Sequence, residues 1–101
     1  MPNDVFETEY FSRLYETLSL KEKQWIKKMI VQLKESSKVG KPLGFEWFRE
    51  KKFDGNRLFY LVYFDLHKVL LVAYGEKKQQ QKIIGEIARN RGEYKRLVER
   101  L

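Results

Sequence analysis

The chain has 101 residues, 43% of them apolar and 15% aromatic, which suits a folded domain with a modest core and excludes a disordered one. It carries 21 Lys and Arg against 14 Asp and Glu, a formal charge of +7, so a polyanion or an acidic protein is the expected kind of partner. With no cysteine, disulfides, thiolate catalysis and thiolate zinc sites are excluded.

The N-terminal residues are acidic where a signal peptide would be basic, and the longest apolar run, at 58–64, is strand-sized. A soluble cytoplasmic protein with one domain over 1–101 and no membrane partner is therefore expected. Val5 and Phe6 predict a short first strand. Thr8 can cap a helix on which Phe11, Leu14, Tyr15 and Leu18 recur at i, i+3, i+4 and i+7, along one face. Ser19 and Glu22 form the S-x-x-E capping box of a second helix. Its buried stripe is Trp25, Ile26, Met29, Ile30 and Leu33, and Lys23, Lys27, Lys28 and Lys34 face water. The short link between the two helices predicts an antiparallel hairpin.

Residues 36–44 hold two serines, two glycines and a proline and read as a surface loop. Residues 47–53 predict a strand with at least one wet face, and Asp54-Gly55 a hairpin turn that needs positive φ. Residues 57–65 are apolar on both faces, as in a central strand covered on both sides, and 69–74 form another buried strand after a turn at 65–68. From Lys82 onward, Ile83, Ile84 and Ile87, then Tyr94, Leu97 and Val98, keep helical spacing, with Gly92 predicting a break near Asn90. The order β-α-α-β-β-β-α gives an α+β fold, a small antiparallel-rich sheet packed on the N-terminal helical hairpin.

Alternation along 47–53 places Glu50 and Lys52 on one face, opposite Arg49 and Lys51. Arg57 enters the next strand just past the turn, close to Lys52, and Lys77 and Lys78 close the last strand. Lys52, Arg57 and Lys77 or Lys78 are expected to meet in one concave patch. Phe59 and Tyr63, on the face of Arg57, are either stacking platforms for bases or core under a helix. Such a patch suits a ribose-phosphate chain. Attack of a ribose 2′-hydroxyl on its phosphodiester builds negative charge that fixed cations stabilise, and a lysine among cations can take the proton. The plainer readings are edge-strand lysines at Lys51 and Lys52 and solvated charges at Lys77, Lys78 and Lys82. His67 lies in a turn, Glu46 and Glu50 do not form a two-carboxylate site, and no metal-ligand spacing or phosphate loop occurs, so no metal or cofactor is expected.

The element order, with Glu50-Lys51-Lys52, Gly55, Arg57, Gly75-Glu76-Lys77-Lys78-Gln79-Gln80 and Glu86-Ile87, resembles the RelE/ParE toxin superfamily. The likeness is greatest to its HigB-like, phage-derived branch, which has an E-L-R strand, a glycine turn, an arginine opening the next strand, a G-x-x-K-K-T-Q-like segment and an E-I pair. The topology covers nearly the whole chain and the motifs about residues 47–90. The resemblance implies the toxin of a type II toxin–antitoxin system, a ribosome-dependent, metal-independent mRNA endonuclease neutralised by an antitoxin protein. It implies catalytic roles for Lys52, Arg57, Lys77 and Lys78 and RNA-binding roles for Lys51, Phe59, Tyr63 and Lys82. The family's catalytic tyrosine or histidine would fall at 81–83 and has no equivalent here. A ParE-type gyrase inhibitor and a non-catalytic RNA- or antitoxin-binding module are the alternatives.

Overall fold

Thr8 accepts the backbone N–H of Phe11 at 3.0 Å, and this cap starts α1 (Glu9–Glu16) directly after strand β1 (Asp4–Glu7). The computed structural model describes residues 2–101. Both halves of the Ser19–Glu22 capping box are formed at the start of α2 (Leu20–Glu35), which buries Ile26, Met29 and Leu33. A 3-10 turn, Ser37–Val39, leads into β2 (Lys41–Phe45), β3 (Phe48–Phe53), β4 (Asn56–Tyr63) and β5 (Lys68–Glu76). Two helices follow, α3 (Gln80–Arg89) and α4 (Arg91–Glu99). The sheet order is β1-β5-β4-β3-β2, with β1 parallel to β5 and the other pairs antiparallel.

The two apolar faces of β4 now have an explanation. Leu58, Tyr60 and Val62 pack with Phe11, Ile26 and Leu33 of α1 and α2. Phe59 and Leu61 pack on the other face with Ile87 of α3 and Val98 of α4. The helical hairpin expected against the sheet is present, and the C-terminal helices close the second face. The C-terminal helix breaks at Asn90, as Gly92 suggested; the Asn90 side chain donates to the Glu86 carbonyl at 2.9 Å.

One expectation is corrected. Residues 41–44, read as part of a loop, form edge strand β2 together with Phe45, so the sheet has five strands rather than four. Loop-type residues are tolerated there because an edge strand is paired on one side alone, and the ladder shifts register between Pro42 and Phe45. Tertiary bonds hold the strand's start. The Gly40 N–H donates to the Tyr60 hydroxyl at 2.8 Å, that hydroxyl donates to the Ser37 carbonyl at 2.8 Å, and Arg49 Nη2 donates to the Gly40 carbonyl at 2.8 Å. A methyl group on Gly40 would overlap the Glu50 carbonyl, a backbone atom that cannot rotate away. Gly40→Ala is expected to cost about 2–3 kcal/mol, read from the urea midpoint.

A second polar cluster ties α2 to the β3–β4 turn. Glu22 accepts from Tyr74 Oη at 2.8 Å and from Asn56 Nδ2 at 3.3 Å, Trp25 stacks on Phe53 at 4.7 Å, and Lys21 pairs with Asp54 at 3.1 Å. The Tyr74 hydrogen bond holds the Glu22 carboxyl below the usual 4.5, against its partial burial, while burial and then Glu22 push the Tyr74 phenol up. A carboxylate with a depressed folded pKa adds stability above its unfolded value and loses it as pH falls through the folded value. Tyr74→Phe should therefore be less stable by about 1–2 kcal/mol at neutral pH. That gap should narrow in acid-dependent urea unfolding as pH falls below the ordinary carboxylate value of 4.5 and through the lowered value of folded Glu22.

Candidate functional site

The turn at Asp54 (φ 48°) and Gly55 (φ 82°) adopts the positive φ angles that tight hairpins need, and it sets the register of everything beyond it. Lys52 lies directly opposite Arg57, and Arg57 opposite Gly75, so the three form one row across β3, β4 and β5. The next row inward is Glu50, Phe59 and Ala73, on the same face. Both rows lie under the start of α3. Gly75 allows that approach, because a Cβ there would come within 2.8 Å of Gln79 Oε1 and 3.1 Å of the Ile83 Cδ1. The adjacency of Lys52 and Arg57 expected from the turn is present.

The environment of Arg57 differs from expectation. Its guanidinium is buried, with only 7% of the side chain exposed, and its Nε lies 3.3 Å from Oε2 of Glu50, which is 1% exposed. The Nε makes no hydrogen bond, because its N–H is not aligned with that oxygen. Glu50 also takes two hydrogen bonds from Gln80 Nε2, at 2.9 and 3.1 Å, and has Lys41 Nζ at 3.9 Å. The unopposed group of cations is thus corrected to a group of cations around one carboxylate. The physical reason is the high free energy of a guanidinium at that depth without a counter-charge.

The single concave patch is also corrected. Lys52, exposed, lines a recess of about 400 Å³ with Lys41, Lys51, Glu50, Val39 and Gly40. Lys77 and Lys78, exposed in the 3-10 turn Lys77–Gln79, line another of about 340 Å³ with the turn residues 54–56 and Glu76. Lys78 is paired with Glu76 at 3.3 Å. Lys51 is half-buried and belongs to the opposite face, in a row with Leu58 and Tyr74. Lys82 is exposed on α3.

Phe59 is wholly buried against the C-terminal helices and is core, which removes it as a base platform. Tyr63 lies six residues along β4 from Arg57, roughly 20 Å away at strand rise. Burial first, with Tyr94 and Glu99 nearby, pushes its phenol up to about 12, against the pull of Arg91. It lines a cleft of about 510 Å³ with Trp47, Phe64 and Arg91, whose guanidinium stacks on Trp47 at 4.3 Å. That cleft is at the other end of β4 from the lysines. His67 is exposed in a left-handed turn. Among the described residues no group of His, Cys, Asp and Glu could hold a metal ion, and no helix is long and apolar enough to cross a membrane.

No family model and no curated protein matches the chain. Solved structures do. A doubly substituted E. coli toxin RelE in the free state is 20% identical, with 89% of this chain and 98% of that chain covered and a TM-score of 0.75. The chain has the RelE fold. The toxin–antitoxin complexes RelBE from E. coli (22% identity, 73% of this chain and 95% of that chain, TM-score 0.65) and RelBE2 from Mycobacterium tuberculosis (20%, 76% and 100%, TM-score 0.66) match it as well.

Within this RelE fold, sequence reasoning missed Lys41 and Gln80 and undervalued Glu50. Alternation already put Glu50 on the face of Lys52, so its presence beside the Arg57 row could have been read from the strand. Lys41 was hidden by the loop reading of β2. Gln80 reaches Glu50 because of the way α3 docks, for which the sequence holds no signal. Glu50→Ala, which leaves Arg57 buried without a counter-charge, should cost about 3–5 kcal/mol in urea unfolding. Lys41→Ala, at an exposed and longer pair, should cost under about 1 kcal/mol.

Proposed function

We propose that the chain is the toxin of a type II toxin–antitoxin system and cleaves mRNA on the ribosome, in the manner of the HigB-like branch its 75–80 segment resembles. The observation that carries this reading is the Lys52–Arg57–Gly75 row. It sets an exposed ammonium beside a nearly buried guanidinium, under the first turn of α3, on the RelE fold. An exposed cation beside a second, buried one suits a phosphate whose charge grows during reaction.

In this reading the ribose 2′-oxygen attacks the adjacent phosphorus, the bond to the 5′-oxygen breaks, and a cyclic phosphate and a free 5′-hydroxyl result. Lys52 is the group placed to take the 2′-hydroxyl proton, and solvent supplies one to the leaving oxygen, since Lys77 and Lys78 line a separate recess. Arg57 is buried and paired with Glu50, so it acts on the phosphate through its field and not by contact. Lys51 and Lys82 attract the flanking RNA. The partner is an antitoxin, as the neighbours solved as toxin–antitoxin complexes suggest by analogy, and an acidic segment of it would complement these lysines.

A second reading is favoured by residues 79–83, where α3 presents glutamines, a lysine and an isoleucine and no tyrosine or histidine. It is a protein that binds RNA or antitoxin without cleaving. Ribosome-programmed cleavage separates the two. Lys52→Ala, at an exposed position, should keep the fold and lower the cleavage rate about 100-fold, with Arg57→Ala at least as impaired. Equal rates in all three proteins would remove the row from the mechanism. Salt-sensitive RNA binding without cleavage would select the second reading, and intact mRNA with broken DNA in arrested cells would select gyrase poisoning.

A further inference from the structure

The Lys41 side of the recess that Lys52 also lines is not used by the reaction just described. Lys41 is opposite Glu50 at the first pair of the β2–β3 ladder, so Lys51, Lys52 and Phe53 extend past β2 and leave the outer edge of β3 open. The floor is Gly40, which has no side chain, and the buried Glu50. The rim is Lys41, whose side chain is 63% exposed, with Lys51 and Lys52. Glu50 is the one acid in the lining; its carboxylate is held by Arg57 and Gln80, and Lys41 Nζ lies farther off, at 3.9 Å, on a side chain long enough to turn to another anion. The wall is rigid, because the Tyr60, Ser37 and Arg49 hydrogen bonds fix the chain at Gly40.

We propose that this recess seats a second phosphate of the bound RNA strand, next to the one at the Lys52–Arg57 row, with Lys41 as its principal contact. The inference rests on the proposed RNA substrate and names the path of the strand over the protein. Lys41 and Lys52 lie on one face, one strand and two residues apart, which separates their backbones by roughly 8 Å. Two flexible lysine side chains from such positions can hold successive phosphates of an extended strand. A partner β-strand is the other conceivable occupant of an open edge. Three residues of free edge are fewer than the usual five or six of a strand, and three lysines around a recess match phosphates better than backbone amides.

The test measures the affinity of the full chain for a fluorescent single-stranded RNA that carries 2′-O-methyl groups throughout, so that it cannot be cleaved, over a series of KCl concentrations. Lys41→Gln should weaken binding several-fold at low salt and reduce the slope of log affinity against log salt by about 0.7, the contribution of one phosphate contact on a single strand. Lys41→Arg should keep the wild-type slope. Lys27→Gln, the same charge change on the exposed side of α2, should also keep it. A slope for Lys41→Gln equal to that of wild type, or one matched by Lys27→Gln, overturns the inference while cleavage that depends on Lys52 still stands. Absence of RNA binding by the wild type overturns both.

Discussion

A carboxylate removed from water must find its counter-charges inside the protein, and at Glu50 that requirement organises the whole end of the sheet. Glu50 stands on β3, its guanidinium partner Arg57 on β4, Lys41 on β2 and the Gln80 amide on α3. Three consecutive strands and a helix that begins 30 residues beyond Glu50 meet at one charge. Arg57 depends on the same arrangement, because a buried guanidinium without an anion is as unfavourable as the carboxylate without a cation. With the Gln80 bonds, the pair ties the start of α3 to β3 and β4, and it leaves the ammonium groups of Lys41 and Lys52 at the rim.

Two glycines permit this closeness. Gly40 lets the entry to β2 pass against the backbone of Glu50, and Gly75 lets α3 settle over the Arg57 row. Each lacks the atom that would hold the neighbouring element away. On the other face of the sheet, the Glu22, Tyr74 and Asn56 bonds and the Trp25–Phe53 stack steady the turn from which Lys52 and Arg57 extend. The cationic end of the sheet is thus held from both faces.

Much of this was legible before any coordinates. The Thr8 and Ser19 caps, the stripe along α2, the Asp54-Gly55 turn and the break at Asn90 rest on local chemistry, in which a side chain answers backbone groups a few residues away. The turn also placed Lys52 across from Arg57, since a two-residue hairpin leaves no freedom of register. Strand β2 was not legible, because Pro42 and Gly44 have loop propensities and the segment is set against β3 by its ladder and by bonds from Tyr60 and Arg49 to Gly40. The burial of Phe59 was half legible. An apolar residue on a doubly apolar strand is covered by something, but periodicity does not say by what.

Local pattern by itself determined the element order, the hairpin register and the presence of a basic face, because these follow from residue type, spacing and backbone stereochemistry. Tertiary structure alone decided that the cations gather around Glu50, that they divide between two recesses, and that Lys41 and Gln80 belong with them. Those facts depend on how α3 and β2 dock, and docking is a sum of many weak contacts between distant segments that no short motif encodes.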